Sequence, residues 1–234
     1  MGRFTPNSAF PIPHFTNMII TIDGYAGSGK TTAARRLADA LGFRLLNTGG
    51  MYRAAAHLLT RHGVDIYADT RDADAIARLV SGWNFEMPAN RVLVNGEELT
   101  DALASEEAGR GASRVGTFPE VRAKLKAEQR RIADGGDFVC EGRDQGTAVF
   151  PDAPAKFFFS ASAEIRAARR VAQLRALHQE ADFATIVRQI ADRDRQDETR
   201  PIDPLRPAAD AVRLDTTEMT MDDVLLTMLR VVRR

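Results

Sequence analysis

Short apolar runs alternate along the chain with longer amphipathic segments. Met18–Ile22 (MIITI), Phe43–Leu46 (FRLL), Asp137–Glu141 (DFVCE), Lys156–Phe159 (KFFF) and Ala211–Leu214 (AVRL) are short and rich in β-branched or aromatic residues. That pattern predicts strands, buried on both faces where they run parallel. Apolar positions at helical spacing predict helices over Thr32–Leu41, ended by Gly42; from NTGGMYR (Asn47–Arg53) to about His62–Gly63; and from Asp69 or Thr70 to Val80. Further helices are predicted from Ser162 to about Leu177, from Asp182 to Arg200, and from Thr220 onward. Between Gly82 and Leu99 the period shortens, and VLV-Asn95-Gly96-EEL carries the strongest hairpin turn signal, so an antiparallel insertion is expected. Two helices follow it. The second is expected to open on a capping box of Thr117, Pro119 and Glu120 and to close before Gly135–Gly136. Strands alternating with helices predict an α/β fold with three α/β/α layers around a parallel sheet.

Composition narrows the class. The chain has 234 residues, 44% hydrophobic and 27% charged, with Lys plus Arg equal to Asp plus Glu at 32 each. A balanced charge offers no global field for nucleic acid or an acidic membrane surface, so neither is expected as a partner. The single Cys140 excludes an internal disulfide framework and points to a buried thiol in a reducing cytoplasm. No apolar run reaches the ~20 residues of a membrane helix. Met1–Asn17 carries Pro6, Pro11 and Pro13 and no continuous apolar stretch, so it reads as a tail. A mis-assigned start or cloned extension fits it as well as a functional arm does.

The chemistry begins after the first strand. Gly24, Gly29, Lys30 and Thr31 fill the fixed positions of a phosphate-binding loop, GYAGSGKT, between strand and helix. There Lys30 reaches the β- and γ-phosphates and the Thr31 hydroxyl holds Mg²⁺. No Asn is followed by Lys, which removes the guanine-reading segment of a GTPase switch. A motor ATPase would need a long apolar strand ending in an acid. Small-molecule kinases remain, and these need a second anion site facing the loop. On the helix from Asp182, the stripe Phe183, Ile186, Val187 and Ile190 continues as Arg193, Asp197 and Arg200, so an inward face turns from apolar to charged. The same residues read equally well as a surface helix stapled by Asp192, Asp194 and Glu198. Arg143 and Asp144 follow a strand and sit at the sheet edge where ligands bind, or pair with each other as a loop salt bridge. Arg166, Arg169 and Arg170 suit either a lid over ATP or a solvated basic face. His14, His57, His62 and His178 show no metal-ligand spacing, and Trp83 and the KFFF phenylalanines read as core.

Taken together, DGYAGSGKTT (23–32), NTGGMYR (47–53), VLVNGEEL (92–99), SRVGTFPEVR (113–122), EGRDQGTAVFPDAP (141–154), RDRQDETR (193–200) and LDTTEMTMDDV (214–224) resemble the bacterial cytidylate kinase family in order and approximate spacing. The resemblance implies a five-stranded parallel core in 18–81, 136–165 and 201–234. It also implies a nucleoside-monophosphate-binding insertion at 82–135 and lid helices at 166–200. The implied reaction is phosphoryl transfer from ATP, with Mg²⁺, to CMP or dCMP by a monomer. Carried over, Gly24, Tyr25, Ala26, Gly27, Ser28, Gly29, Lys30, Thr31, Thr32 and Arg169 hold ATP. Arg53, Arg143, Arg193 and Arg200 grip the monophosphate and the transferring group, with Lys30 completing the catalytic set. Thr48 lies near the acceptor, Asp197 near the sugar, and Ser113, Arg122 and Asp144 read cytosine. This family reading tips Arg193 and Arg200 toward function. Tyr25, Asn47, Gly50 and Gln145 depart from the family's usual Pro, Asp, Ala and apolar residue. Other acceptors, UMP or shikimate, and a non-catalytic nucleotide-binding protein are the alternatives.

Overall fold

The computed structural model describes residues 16–176 and 178–233. Most of the proposed tail and the end of the helix predicted to reach Leu177 lie outside those residues. Five parallel strands form the core: β1 (Ile19–Gly24), β2 (Arg44–Asn47), β6 (Phe138–Glu141), β7 (Ala155–Ser160) and β8 (Val212–Asp215), in the order β2-β6-β1-β7-β8. Alternation along the strands separates two cores. Val139, Ile20, Ile22, Phe157 and Phe159 face α1 (Lys30–Leu41) and α8 (Met221–Val232), where Leu37, Val224 and Met228 are fully buried. Phe138, Cys140 and Leu46 face the opposite way. There they meet α2 (Thr48–Arg61) and α5 (Pro119–Ala133), through Met51, Leu59, Val121 and Leu125. The three layers are those the alternation predicts. Burial pushes the Cys140 thiol above its usual range, which leaves it inert at neutral pH.

The region between Gly82 and Leu99 is the expected antiparallel sheet: β3 (Phe85–Glu86), β4 (Leu93–Val94) and β5 (Glu97–Glu98). Asn95 (φ 53°) and Gly96 (φ 81°) both take left-handed backbone, the requirement of the tight I′ hairpin turn. Trp83 packs in the same core as this sheet, and the KFFF phenylalanines are buried in β7.

Two helix starts differ from expectation. Helix α3 (Ala73–Ser81) begins later than Asp69 or Thr70, because the Asp72 carboxylate accepts from Ala75 N–H at 2.8 Å and caps it. At α5 there is no capping box: Phe118 is the N-cap, and the Thr117 hydroxyl donates backward to the Arg114 carbonyl at 2.7 Å. Pro119 alone, with its preset φ, opens that helix. The capping box is at α8, between Thr220 and Asp223. Helices α4 (Glu106–Val115), α6 (Ala163–Ala176) and α7 (Phe183–Thr199) complete the fold, and α6 and α7 pack on each other through Ala167, Val171, Leu174, Ile186 and Ile190. Phe183, expected to lead that apolar stripe, is exposed and takes no part in the contact with α6.

Candidate active site

Strand polarity decides where chemistry can assemble. Asp23, Asn47 and Glu141 lie in the C-terminal ends of β1, β2 and β6 at the same sheet edge, and the glycine loop leaves β1 there. Gly24 is the last residue of the strand rather than part of the open loop. Its φ is 140°, and a Cβ would lie 2.1 Å from the Phe159 carbonyl oxygen of β7, so only glycine fits. Gly29, at φ 89°, then turns the chain into α1. Ser28 Oγ and Lys30 Nζ both donate to the Tyr25 carbonyl, at 2.9 and 2.5 Å, which folds the loop back on itself.

The cleft above this edge encloses about 1350 Å³. It gathers Lys30, Thr31, Thr32, Thr48, Arg53, Ser113, Arg143, Asp144, Arg169, Arg193, Asp197 and Arg200 from six parts of the chain. Arg53, Arg143, Arg193 and Arg200 therefore share the cleft with the phosphate loop. Burial, and the positive charge of Arg143, pull the buried Lys30 ammonium down to about 7, although Glu141 acts the other way. Burial and Arg143 likewise lower Arg193, to about 10. Arg193 donates no hydrogen bond to any described residue, and its Nε is buried without a partner. The surface-staple reading of α7 thus fails for Arg193. Asp192 pairs with Arg195, Asp194 with Arg166, and Glu198 accepts from the Tyr25 hydroxyl at 2.7 Å.

Arg143 and Asp144 do not pair with each other. Arg143 Nε donates to Asp197 Oδ2 at 3.0 Å, and Asp144 takes a close contact from Arg122 Nη2. Asp197 is held below the usual carboxylate range: burial opposes this, but Arg143, Arg193 and Arg200 outweigh it. Thr48 Oγ1 donates to the Glu141 carbonyl at 2.9 Å, and Arg53 Nη1 to the Leu103 carbonyl at 3.2 Å. Ser113 exchanges hydrogen bonds with Gln196 and lines the same cleft as Asp144. Arg122 is only 2% exposed and supports Asp144 from behind the cleft wall.

Helix α6 is no solvated basic face. Arg166 is buried, pairs with Asp194 at 2.6 Å, donates to the Ala26 carbonyl at 3.2 Å and lies 5.2 Å from the Tyr25 ring centroid. Arg169 donates to the Thr216 carbonyl at 2.6 Å, and Arg170 reaches Glu106 of α4 at 2.8 Å. Gln145, a departure from the family pattern, is fully buried and donates to Gln129 of α5 at 3.0 Å, away from the cleft. Tyr52, Glu141, Gln196 and Asp203 were missed in the sequence. Glu141 carried the one usable signal, an acid at the end of an apolar strand, but FVC is too short to stand out.

Hard oxygen donors suit a magnesium ion at this edge. The Thr31 hydroxyl lies 3.1 Å from Glu141 Oε2, and Asp23 lies in the C-terminal end of the neighbouring strand. Among the described residues no group of three or more His, Cys, Asp or Glu is arranged to hold a metal. Asp23 accepts from Gln145 and Gly146 N–H at 2.9 and 2.7 Å, yet burial pushes it up to about 7.

Comparison with known proteins bears on the family of the chain as a whole. The cytidylate kinase family profile matches residues 20–234. A cytidylate kinase of Pseudomonas aeruginosa (strain LESB58) is 40% identical over 218 residues, covering 91% of this chain and 93% of its own. One from Nitratidesulfovibrio vulgaris is 44% identical over 206 residues, 88% of each chain. The crystal structure of an uncharacterized protein from Eubacterium ventriosum ATCC 27560 shares the fold at a TM-score of 0.51 and 12% identity, over 92% of this chain and 98% of that one. Among the described residues no helix is long and apolar enough to cross a membrane. With the profile spanning nearly the whole chain, the protein belongs to the cytidylate kinase family.

Proposed function

We propose that this protein transfers the γ-phosphoryl group of ATP to CMP or dCMP, giving ADP and CDP or dCDP. The observation that carries the reading is Arg193: a cation with a buried, unpartnered Nε, facing a phosphate loop, is stable only if its proper partner is an anionic ligand. Gly24, Tyr25, Ala26, Gly27, Ser28, Gly29, Thr31 and Thr32 cradle the donor phosphates with backbone N–H groups and hydroxyls, and Lys30 neutralises the β- and γ-phosphates. Magnesium, held through Thr31 with Glu141 beside it, supplies further charge neutralisation when bound. Arg53, Arg143, Arg193 and Arg200 hold the acceptor phosphate in line and stabilise charge on the transferring group, while Arg169 holds ATP from α6. No strong base is required, because positioning and neutralisation dominate phosphoryl transfer.

Residues 82–135 receive the monophosphate and 166–200 act as a lid. The Arg170–Glu106 and Gln196–Ser113 contacts support this, since each joins the two segments. Thr48 lies near the acceptor, Asp197 near its sugar, and Ser113, Arg122 and Asp144 select cytosine, Asp144 by accepting from the 4-amino group. We take the enzyme to act as a cytoplasmic monomer. ADP release with CMP, dCMP, UMP, AMP, GMP and shikimate in turn tests the acceptor. CMP and dCMP should lead by about tenfold or more, since one lost charged hydrogen bond is worth ~1.5–3 kcal/mol. A lead by UMP or shikimate refutes the assignment.

A further inference from the structure

Asp203 lies in the turn after α7 with φ of 46°, a left-handed backbone that Gly, Asn and Asp adopt more readily than other residues. That conformation turns two groups of one residue toward two arginines. The Asp203 carbonyl accepts from Nε of Arg200 at 2.7 Å and also from its Nη2. The carboxylate oxygen Oδ2 accepts from Nε and Nη2 of Arg122, at 3.3 and 3.0 Å, and pairs with Lys126 at 2.9 Å.

Arg122 is thereby divided. Its Nε–Nη2 edge is turned to Asp203, its Nη1 donates to the Gly116 carbonyl at 3.2 Å, and only Nη2 meets Asp144. An arginine facing a carboxylate commonly closes a two-pronged pair that occupies both oxygens. Here the contact is one-pronged. Asp144 Oδ1 accepts no hydrogen bond from the described residues, and Asp144 lines the cleft.

We infer that Asp203 is a positioning residue that sets acceptor-base specificity: by holding the Nε edge of Arg122, it keeps Asp144 Oδ1 open to accept from the exocyclic amino group of an aminopyrimidine. A base with a carbonyl at that position meets the same open oxygen and is disfavoured. The inference rests on the cytidylate-accepting reading of the cleft.

Asp203→Asn tests it, because Asn tolerates the left-handed backbone and keeps the carbonyl that holds Arg200 while the charge is lost. The amide oxygen still accepts from Arg122 but without the charge, so Arg122 turns more readily to both oxygens of Asp144. The expected result is a roughly tenfold rise in KM for CMP and a roughly tenfold fall in the CMP:UMP ratio of kcat/KM, about 1.4 kcal/mol. KM for ATP, and kcat at saturating CMP, should stay within about twofold, the signature of an effect confined to binding. Lys126→Met, which removes the other cation on the same carboxylate, should leave the ratio unchanged. An unchanged CMP:UMP ratio in Asp203→Asn overturns the inference. So does an equal loss of kcat with both acceptors together with a lowered Tm, or a Lys126→Met ratio that falls as far as that of Asp203→Asn. Failure of the unaltered enzyme to prefer CMP over UMP, measured first, refutes the underlying reading instead.

Discussion

Replacing Arg193 by Ala separates a ligand-gripping role from a structural one. In the free protein the Arg193 side chain makes no hydrogen bond to any described residue, and Asp197, whose charge it favours, keeps Arg143 and Arg200, so its removal strands no partner. Its depression from 12.5 to about 10, by burial and the charge of Arg143, measures an unfavourable setting. That difference corresponds to at most about 3 kcal/mol, and solvent at the cleft reduces it further. Arg193→Ala should therefore leave the unfolding free energy unchanged or raise it by up to about 2 kcal/mol, the loss of helix packing being small for a side chain with few partners. Turnover should move the other way. Loss of an arginine that stabilises a transferring phosphoryl group costs ~10³–10⁵ in rate, about 4–7 kcal/mol of barrier. Urea denaturation and coupled ADP release on the same preparation measure both quantities. A loss of stability comparable to the loss of barrier stabilisation would refute the reasoning, as would turnover within about tenfold of the unaltered enzyme.

Three further outcomes follow from the charges at the sheet edge. Asp23, raised to about 7 from 3.8, binds more protons folded than unfolded between those values, so its contribution to stability is present below about pH 4 and is lost as pH rises through 7. The slope is at most about 1.4 kcal/mol per pH unit, and Asp23→Asn should flatten the dependence of urea stability between pH 4.5 and 7.5 by a measurable part of it; identical slopes would contradict this. Lys30, lowered to about 7, is charged below that pH, so kcat/KM for ATP should fall as pH rises through 7 with proton uptake on binding, and Lys30→Arg should remove that uptake in calorimetry across buffers. Arg166→Met leaves buried Asp194 without its cation and should cost roughly 3–5 kcal/mol in denaturation; a cost below about 1 kcal/mol would show that the pair does not anchor α7.

The layered sheet was legible because each strand is a short apolar run between amphipathic helices. The phosphate loop was legible because its glycines and Lys30 are contiguous, and the charged end of α7 because Arg193, Asp197 and Arg200 continue one stripe. What escaped depends on partners far apart in sequence. Arg170 finds Glu106 across 64 residues and Arg169 finds Thr216 across 47, so local spacing made α6 look like a solvated basic face. Thr117 and Glu120 had capping-box spacing, yet the Thr117 hydroxyl is satisfied by the Arg114 carbonyl behind it, an option that spacing does not reveal. Gln145 sits beside Asp144 in the chain but turns into the core, because a π-type turn over Gln145–Val149 points it at Gln129.

The central claim is that the cations facing the loop pass the γ-phosphoryl group of ATP to a cytidine monophosphate. Following γ-³²P from ATP during incubation with Mg²⁺ and CMP, with Lys30→Ala as the blank, tests it directly. The account predicts label in CDP, at a rate the blank lacks. Label released only as inorganic phosphate, or equal transfer by the Lys30→Ala protein, would contradict it.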